Sequence, residues 1–125
     1  MSVLPTRCRR YLVEQHINFE EVDGPQKGII LKSYPVPRSQ FDADRADFLL
    51  LLPDGYPDVR PDMFYVMPWL RLAPSGAYPR AADQPFEFAG RNWQRWSRHN
   101  DQWRPGVDGI WTMLRRIDAA LEAAA

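Results

Sequence analysis

Residues 49–67 read LLLLPDGYPDVRPDMFYVM, and the order of patterns in this stretch decides the fold class. Leu49 to Leu52 are apolar on both faces of any strand they form, which predicts a central strand lying under a helix. Pro53 has no N–H to give a ladder and ends that strand. From Pro53 to Pro68 four prolines fall within sixteen residues, and the ring-rich, branched MFYVM at 63–67 predicts the next strand. A strand, a stiff proline-rich link and a second strand therefore follow one another.

Working outward, NFEEV at 18–22 and GIILKSYPVP at 28–37 form two earlier runs, set apart by the turn residues DGPQKG and PRSQFDAD. With the runs at 47–53 and 63–67 they predict a four-stranded antiparallel meander. Ahead of it, Leu4, Cys8, Tyr11 and Leu12 share one face, while Arg7, Arg9, Arg10, Glu14 and Gln15 cover the rest. This is a short N-terminal helix, with Pro5 tolerated in its first turn. From Trp69 to Gly90, Pro74, Gly76, Pro79 and Pro85 break every period and predict a long irregular crossover, a feature often tied to function. Val107, Ile110, Leu114, Ile117 and Leu121 then repeat at helical spacing, with Trp111 and Met113 beside them, and predict a helix from about 107 to 122. Asp108 falls in its first turn, where the helix dipole favours a negative charge. The expectation is an α+β fold with helices on one face of an antiparallel sheet, in a single domain over residues 1–125.

Composition narrows the functional classes. Lys plus Arg and Asp plus Glu balance at 16 each, so no global field draws the chain to nucleic acid or an anionic membrane. A single cysteine, Cys8, excludes an intrachain disulfide or a cysteine zinc cluster. His16 and His99 are far apart and form no metal-ligand pair, so neither a metal nor a cofactor is expected. The start MSVLPTRCRRYL lacks an apolar signal core, and no run nears the roughly 18 apolar residues of a membrane span. A soluble, cytoplasmic chain is expected.

The phrase Leu52-Pro53-Asp54-Gly55-Tyr56-Pro57-Asp58-Val59-Arg60-Pro61 after the third strand resembles the ubiquitin-conjugating enzyme (UBC) fold, where a Tyr-Pro-x-x-x-Pro segment links strands three and four. Tyr56, Pro57 and Pro61 match that spacing, and Trp103-Arg104-Pro105 ahead of the last helix matches the family's Trp-x-Pro. Taken with GRNWQRWSRH and WRPGVDG, the likeness extends to a bacterial branch of UBC-like proteins and covers most of the chain. The resemblance implies a ubiquitin-like modifier, an adenylating activating enzyme and a deubiquitinase-type metalloprotease as partners. It also implies structural-anchor roles for Tyr56, Pro57, Pro61, Trp103 and Pro105.

Two departures from the family matter. Catalytic members carry a cysteine shortly before the Trp-x-Pro, since a thiol is nucleophilic and labile enough to carry an acyl group as a thioester. That place falls among Trp93, Gln94 and Arg95, none of which can do so. The family's His-Pro-Asn is likewise not supplied by Pro68-Trp69-Leu70, and Cys8 lies on the N-terminal helix, away from the crossover. The first expectation is therefore a noncatalytic, adaptor-type relative. Its partner contacts would come from Arg91, Trp93, Arg95, Trp96 and Arg98, because Trp and Arg dominate protein hot spots.

The alternatives lie in the same segment. His99, set among Arg95, Arg98 and Arg104, is the candidate base or nucleophile for acyl transfer or hydrolysis on the modifier; its structural reading is a side chain that orders the crossover. Ser97, His99 and Asp101 form a Ser-x-His-x-Asp string, although triads are defined by geometry and not by adjacency. Rings among cations also suit single-stranded bases, which keeps a nucleic-acid module as a third reading against the neutral whole chain. Trp103 and Trp111 are read as core, one preceding and one lying on the last helix.

Overall fold

A computed structural model describes residues 3–99 and 102–124. Its elements in chain order are helix α1 (Thr6–Glu14), strands β1 (Phe19–Val22), β2 (Lys27–Pro35), β3 (Arg45–Leu52), β4 (Phe64–Met67), β5 (Gln84–Phe88) and β6 (Arg91–Trp96), and helix α2 (Ile110–Ala123). The fold is α+β, and every strand pair is antiparallel. The sheet runs β1-β2-β3-β4-β6-β5, six strands where four were expected.

The two additional strands come from the far end of the stretch read as an irregular crossover and from the tryptophan-arginine segment after it. Pro85 hid β5; on an edge strand a missing N–H costs no ladder bond, so proline is tolerated there. The charges of RNWQRW hid β6, whose period-two alternation sends Arg91, Trp93 and Arg95 to one face and Asn92, Gln94 and Trp96 to the other. Ala89 and Gly90 join the two strands, with φ of 52° and 75°. Tight hairpins need this positive φ, but their usual sequence signal is Asn-Gly or Asp-Gly, not Ala-Gly. Once formed, the hairpin places β6 against β4, pairing Phe64 with Trp96 and Val66 with Gln94.

Helix α2 begins later than its apolar repeat implied. Val107 is 51% exposed and lies in a turn next to Gly106, whose φ is 82°, so the apolar face starts at Ile110. Asp108 stands just ahead of the helix and organises its entry. Its carboxylate accepts from Arg104 N at 2.7 Å and from Thr112 Oγ1 at 3.0 Å, while Thr112 Oγ1 accepts from Gly109 N at 3.2 Å. These bonds satisfy donors that a helix start leaves unpaired.

The sheet is buried on both faces. On the inner face, Leu12 of α1 and Ile110, Met113, Leu114, Ile117 and Leu121 of α2 join Ile29, Leu31, Phe48, Leu50, Phe64, Val66 and Trp96 in the main core. Leu50 and Leu52 thus meet the helical core, as the four-leucine run implied. Leu49 belongs to a second cluster on the outer face with Ile30, Tyr65 and Trp93, packed by Phe86 and Phe88 of β5. The cover over Leu49 is the edge hairpin and not a helix. Phe86 stacks on Tyr65 at 4.4 Å between centroids. Phe88 reaches across to β2, where a Cβ on Gly28 would lie 3.1 Å from its ring and from Leu49 Cδ1. Only a glycine admits that approach without displacing core side chains.

Candidate functional site

The two proline-bearing motifs meet in space. Trp103 Nε1 donates to the carbonyl of Pro57 at 2.8 Å, and the rings of Tyr56 and Trp103 lie 6.4 Å apart. Tyr56 then reaches the N-terminal helix, its hydroxyl 3.3 Å from Cys8 Sγ. Burial, reinforced by the hydrogen bond to Cys8, holds the Tyr56 hydroxyl far above the ordinary phenol range, so it stays protonated. Cys8 itself is buried, 1% exposed. Pro61 is buried and Pro105 exposed in the turn before α2.

The tryptophan-arginine segment does not form one surface patch. Trp93 and Trp96 are both fully buried, which corrects the expectation that they present rings to a partner; they face opposite sides of β6, and each side is covered by its own apolar cluster. Trp93 anchors the outer cluster and donates Nε1–H to Phe88 O at 3.1 Å. Trp96 stacks on Phe64 at 5.4 Å in the main core. Arg91 lies over the outer face of Trp93 and Arg98 over Trp96, at 4.6 and 5.0 Å from the ring centroids, so these arginines cover the rings and diverge to opposite sides of the sheet. Arg95 is exposed.

Gln94, between the two tryptophans, was not singled out as a site residue, and it is fully buried with all its hydrogen-bonding capacity in use. Its Oε1 accepts from Leu70 N at 2.8 Å and Trp96 Nε1 at 3.0 Å; its Nε2 donates to Leu70 O at 3.0 Å and Ala82 O at 2.8 Å. This one amide ties the irregular stretch between β4 and β5 to the sheet. The ground among Trp93, Gln94 and Arg95 is therefore mostly core: the ring and the amide are buried, and only Arg95 is exposed.

His99 follows β6 and meets Asp62 of the proline-rich link, Nδ1 lying 3.2 Å from Oδ1 and 3.3 Å from Oδ2. The group touching its ring is thus a carboxylate, where sequence proximity pointed to arginines. A carboxylate only accepts, so Nδ1 carries the proton and, in the neutral ring, Nε2 keeps its lone pair. The pair is open to water, with side chains 72% and 52% exposed, which makes it a weak tether. Arg116 of α2 donates Nη2–H to His99 O at 2.6 Å. Beside them lies a cavity of about 450 Å³ walled by Phe64, Ser97, Met113 and the small residues Ala119, Ala120 and Ala123. Ser97 and His99 share this wall, while Asp101 lies outside the described residues. A polarised imidazole at the rim of an apolar hollow is an arrangement able to accept a proton from a bound group.

With this geometry in place, the model of prokaryotic E2 family E matches residues 4–124. The chain belongs to that family. No curated protein and no solved structure matches it. Family E membership makes the chain a bacterial E2-like protein and points to a role in a ubiquitin-like conjugation pathway. The match runs through both helices and all six strands, and so takes in the proline-rich link, the β5–β6 hairpin and the His99 region together. Among the described residues no group of acidic, His and Cys side chains is placed to hold a metal, and no helix is long and apolar enough to cross a membrane.

Acid titration reads out the entry to α2. The hydrogen bond from Arg104 N, helped by the Arg104 guanidinium and Thr112, holds the Asp108 carboxyl below its ordinary range. Glu21 is lowered in the same sense, first by the Arg9 guanidinium and then by the backbone N–H groups of Leu4 and Val3. A carboxyl lowered in the folded state contributes stability above its unfolded pKa and loses it as pH falls through the folded value. Thermal melts should therefore drop steeply below about pH 4. Asp108→Asn should be less stable than wild type at pH 7 and lose less on acidification; parallel curves for the two proteins would refute the assignment.

Proposed function

We propose that the chain serves as an adaptor-type E2 relative, binding the ubiquitin-like modifier or its activating enzyme without forming a thioester. The observation that carries this reading is the state of Cys8. The chain's single cysteine is buried against Tyr56, remote in sequence from the β6 segment where the UBC resemblance puts a nucleophile. At 1% exposure, with its sulfur against the Tyr56 hydroxyl, Cys8 offers no open face to an incoming activated acyl group. Two separate surfaces are left for contact: Arg91 and Arg95 on the outer face of the sheet, and Arg98 with His99 beyond β6. A metalloprotease of the deubiquitinase type is a further partner on this reading, and the cytoplasm is the compartment in which the pathway operates.

Incubating the chain with modifier, activating enzyme and ATP should yield a stable noncovalent complex on size exclusion and no band sensitive to reductant. A reductant-sensitive adduct that disappears in Cys8→Ser would overturn the proposal.

The His99–Asp62 pair favours a second reading, in which His99 acts as base in acyl transfer or hydrolysis on the modifier. Asp62 orients the ring, and the adjoining cavity is large enough for a peptide side chain. In the same reconstituted mixture, His99→Ala should then abolish conjugation or release while complex formation persists; unchanged turnover would dismiss this reading.

A further inference from the structure

Arg80, Arg98 and Arg116 have no carboxylate partner among the described residues. Arg98 lies over the buried Trp96 ring, its Cζ 5.0 Å from the centroid, and its Nη1 donates to the carbonyls of Arg80 and Ser97 at 3.0 and 3.2 Å. Its remaining N–H groups make no hydrogen bond among the described residues. Burial and the neighbouring Arg80 cation both push its pKa down, the mark of a positive charge set without compensation. Arg80 and Arg98 line a hollow of about 260 Å³ beside the end of α2. That hollow and the cavity next to His99 share Ser97, Arg98 and Ala123, so the two adjoin along the helix.

The result is a groove with unpaired guanidinium groups at one end, an apolar floor of Phe64, Met113 and Ala120 in the middle, and the Asp62 carboxylate at the other. We propose that this groove binds the free C-terminus of a peptide or protein, the carboxylate on Arg98 and Arg80 and a terminal apolar side chain on the floor. A planar guanidinium pair suits a carboxylate, which it can grip through parallel N–H···O bonds. Asp62 opposes a polyanion such as a nucleic acid running along the groove, but can accept an N–H from the upstream peptide backbone. Small alanines on α2 leave room for an extended chain.

The test uses the full chain and two labelled hexapeptides with leucine as the C-terminal residue, one a free acid and the other a C-terminal amide. By fluorescence anisotropy the acid should bind about tenfold tighter than the amide or better, because a charge-assisted carboxylate contact is lost in the latter. Arg80→Gln and Ala123→Glu, both at exposed positions, should each bring the acid toward the amide while leaving the circular dichroism melt unchanged. Equal affinity for acid and amide, indifference to both substitutions, or tighter binding of a single-stranded oligonucleotide would each overturn the proposal. The groove shares Arg98 with the surface proposed for the adaptor role, but the two readings fail separately, since the peptides can bind whether or not a complex with the activating enzyme forms.

Discussion

Trp96→Ala is expected to cost about 3–5 kcal/mol of folding stability, the range for removing a large buried ring. The side chain is fully buried, stacks on Phe64, lies 6.0 Å from Phe41 by ring centroid, and carries the Arg98 guanidinium 5.0 Å from its centroid. The ring fills the space where β6, β4 and the β2–β3 connection at Phe41 converge, so its loss leaves a cavity that a sheet cannot close by collapse. Against a total stability of about 5–15 kcal/mol for a small domain, this leaves little in reserve. Urea melts followed by tryptophan fluorescence and circular dichroism measure it, and a loss under about 1 kcal/mol would show that the packing around Trp96 does not hold the fold.

Gln94→Leu should be nearly as damaging for a different reason. Leucine has a similar volume, so the cost is polar and not steric. Leu70 N, Leu70 O, Ala82 O and Trp96 Nε1 all lose their partner at once. Each buried group left unsatisfied costs about 1–3 kcal/mol, and even partial rescue by water leaves a total loss of about 3 kcal/mol or more. The damage should appear first between β4 and β5, because this amide supplies the buried hydrogen bonds that tie that stretch to the sheet, beside the bond from Trp69 Nε1 to Asn92 O. Hydrogen exchange at Leu70 and proteolysis around Ala82 should accelerate in the variant before global unfolding; uniform acceleration across the chain would refute the clamp. Because Gln94 and Trp96 share a hydrogen bond, the double variant should lose less than the sum of the two single changes.

Both residues sit where the sequence invited a functional reading. RNWQRW looks like an exposed, charged, aromatic segment because its one-dimensional composition mixes arginines with tryptophans. Once the segment is a strand, Trp93 turns to the outer cluster and Trp96 with Gln94 to the main core; both faces are covered there, so the rings are buried, with Arg91 over one and Arg98 over the other. That the segment is a strand depends on β5 and β4 flanking it, and neither neighbour is implied by its own residues.

What the sequence determined by itself is the set of features fixed by local periodicity and backbone restriction. The apolar repeat of α2, the strands around the four-leucine run and the proline-rich link between β3 and β4 belong here, since each follows from spacing or from a missing N–H within a few residues. What only the tertiary structure decided is everything that depends on pairing between distant segments. The β5–β6 hairpin, the bond from Trp103 to Pro57, the carboxylate facing His99 and the arginines beside the end of α2 that meet no carboxylate among the described residues are of this kind. The physical reason is that hydrogen-bond satisfaction and charge compensation are properties of neighbours in space, and residues 37 apart, such as Asp62 and His99, carry no local signal that they will meet.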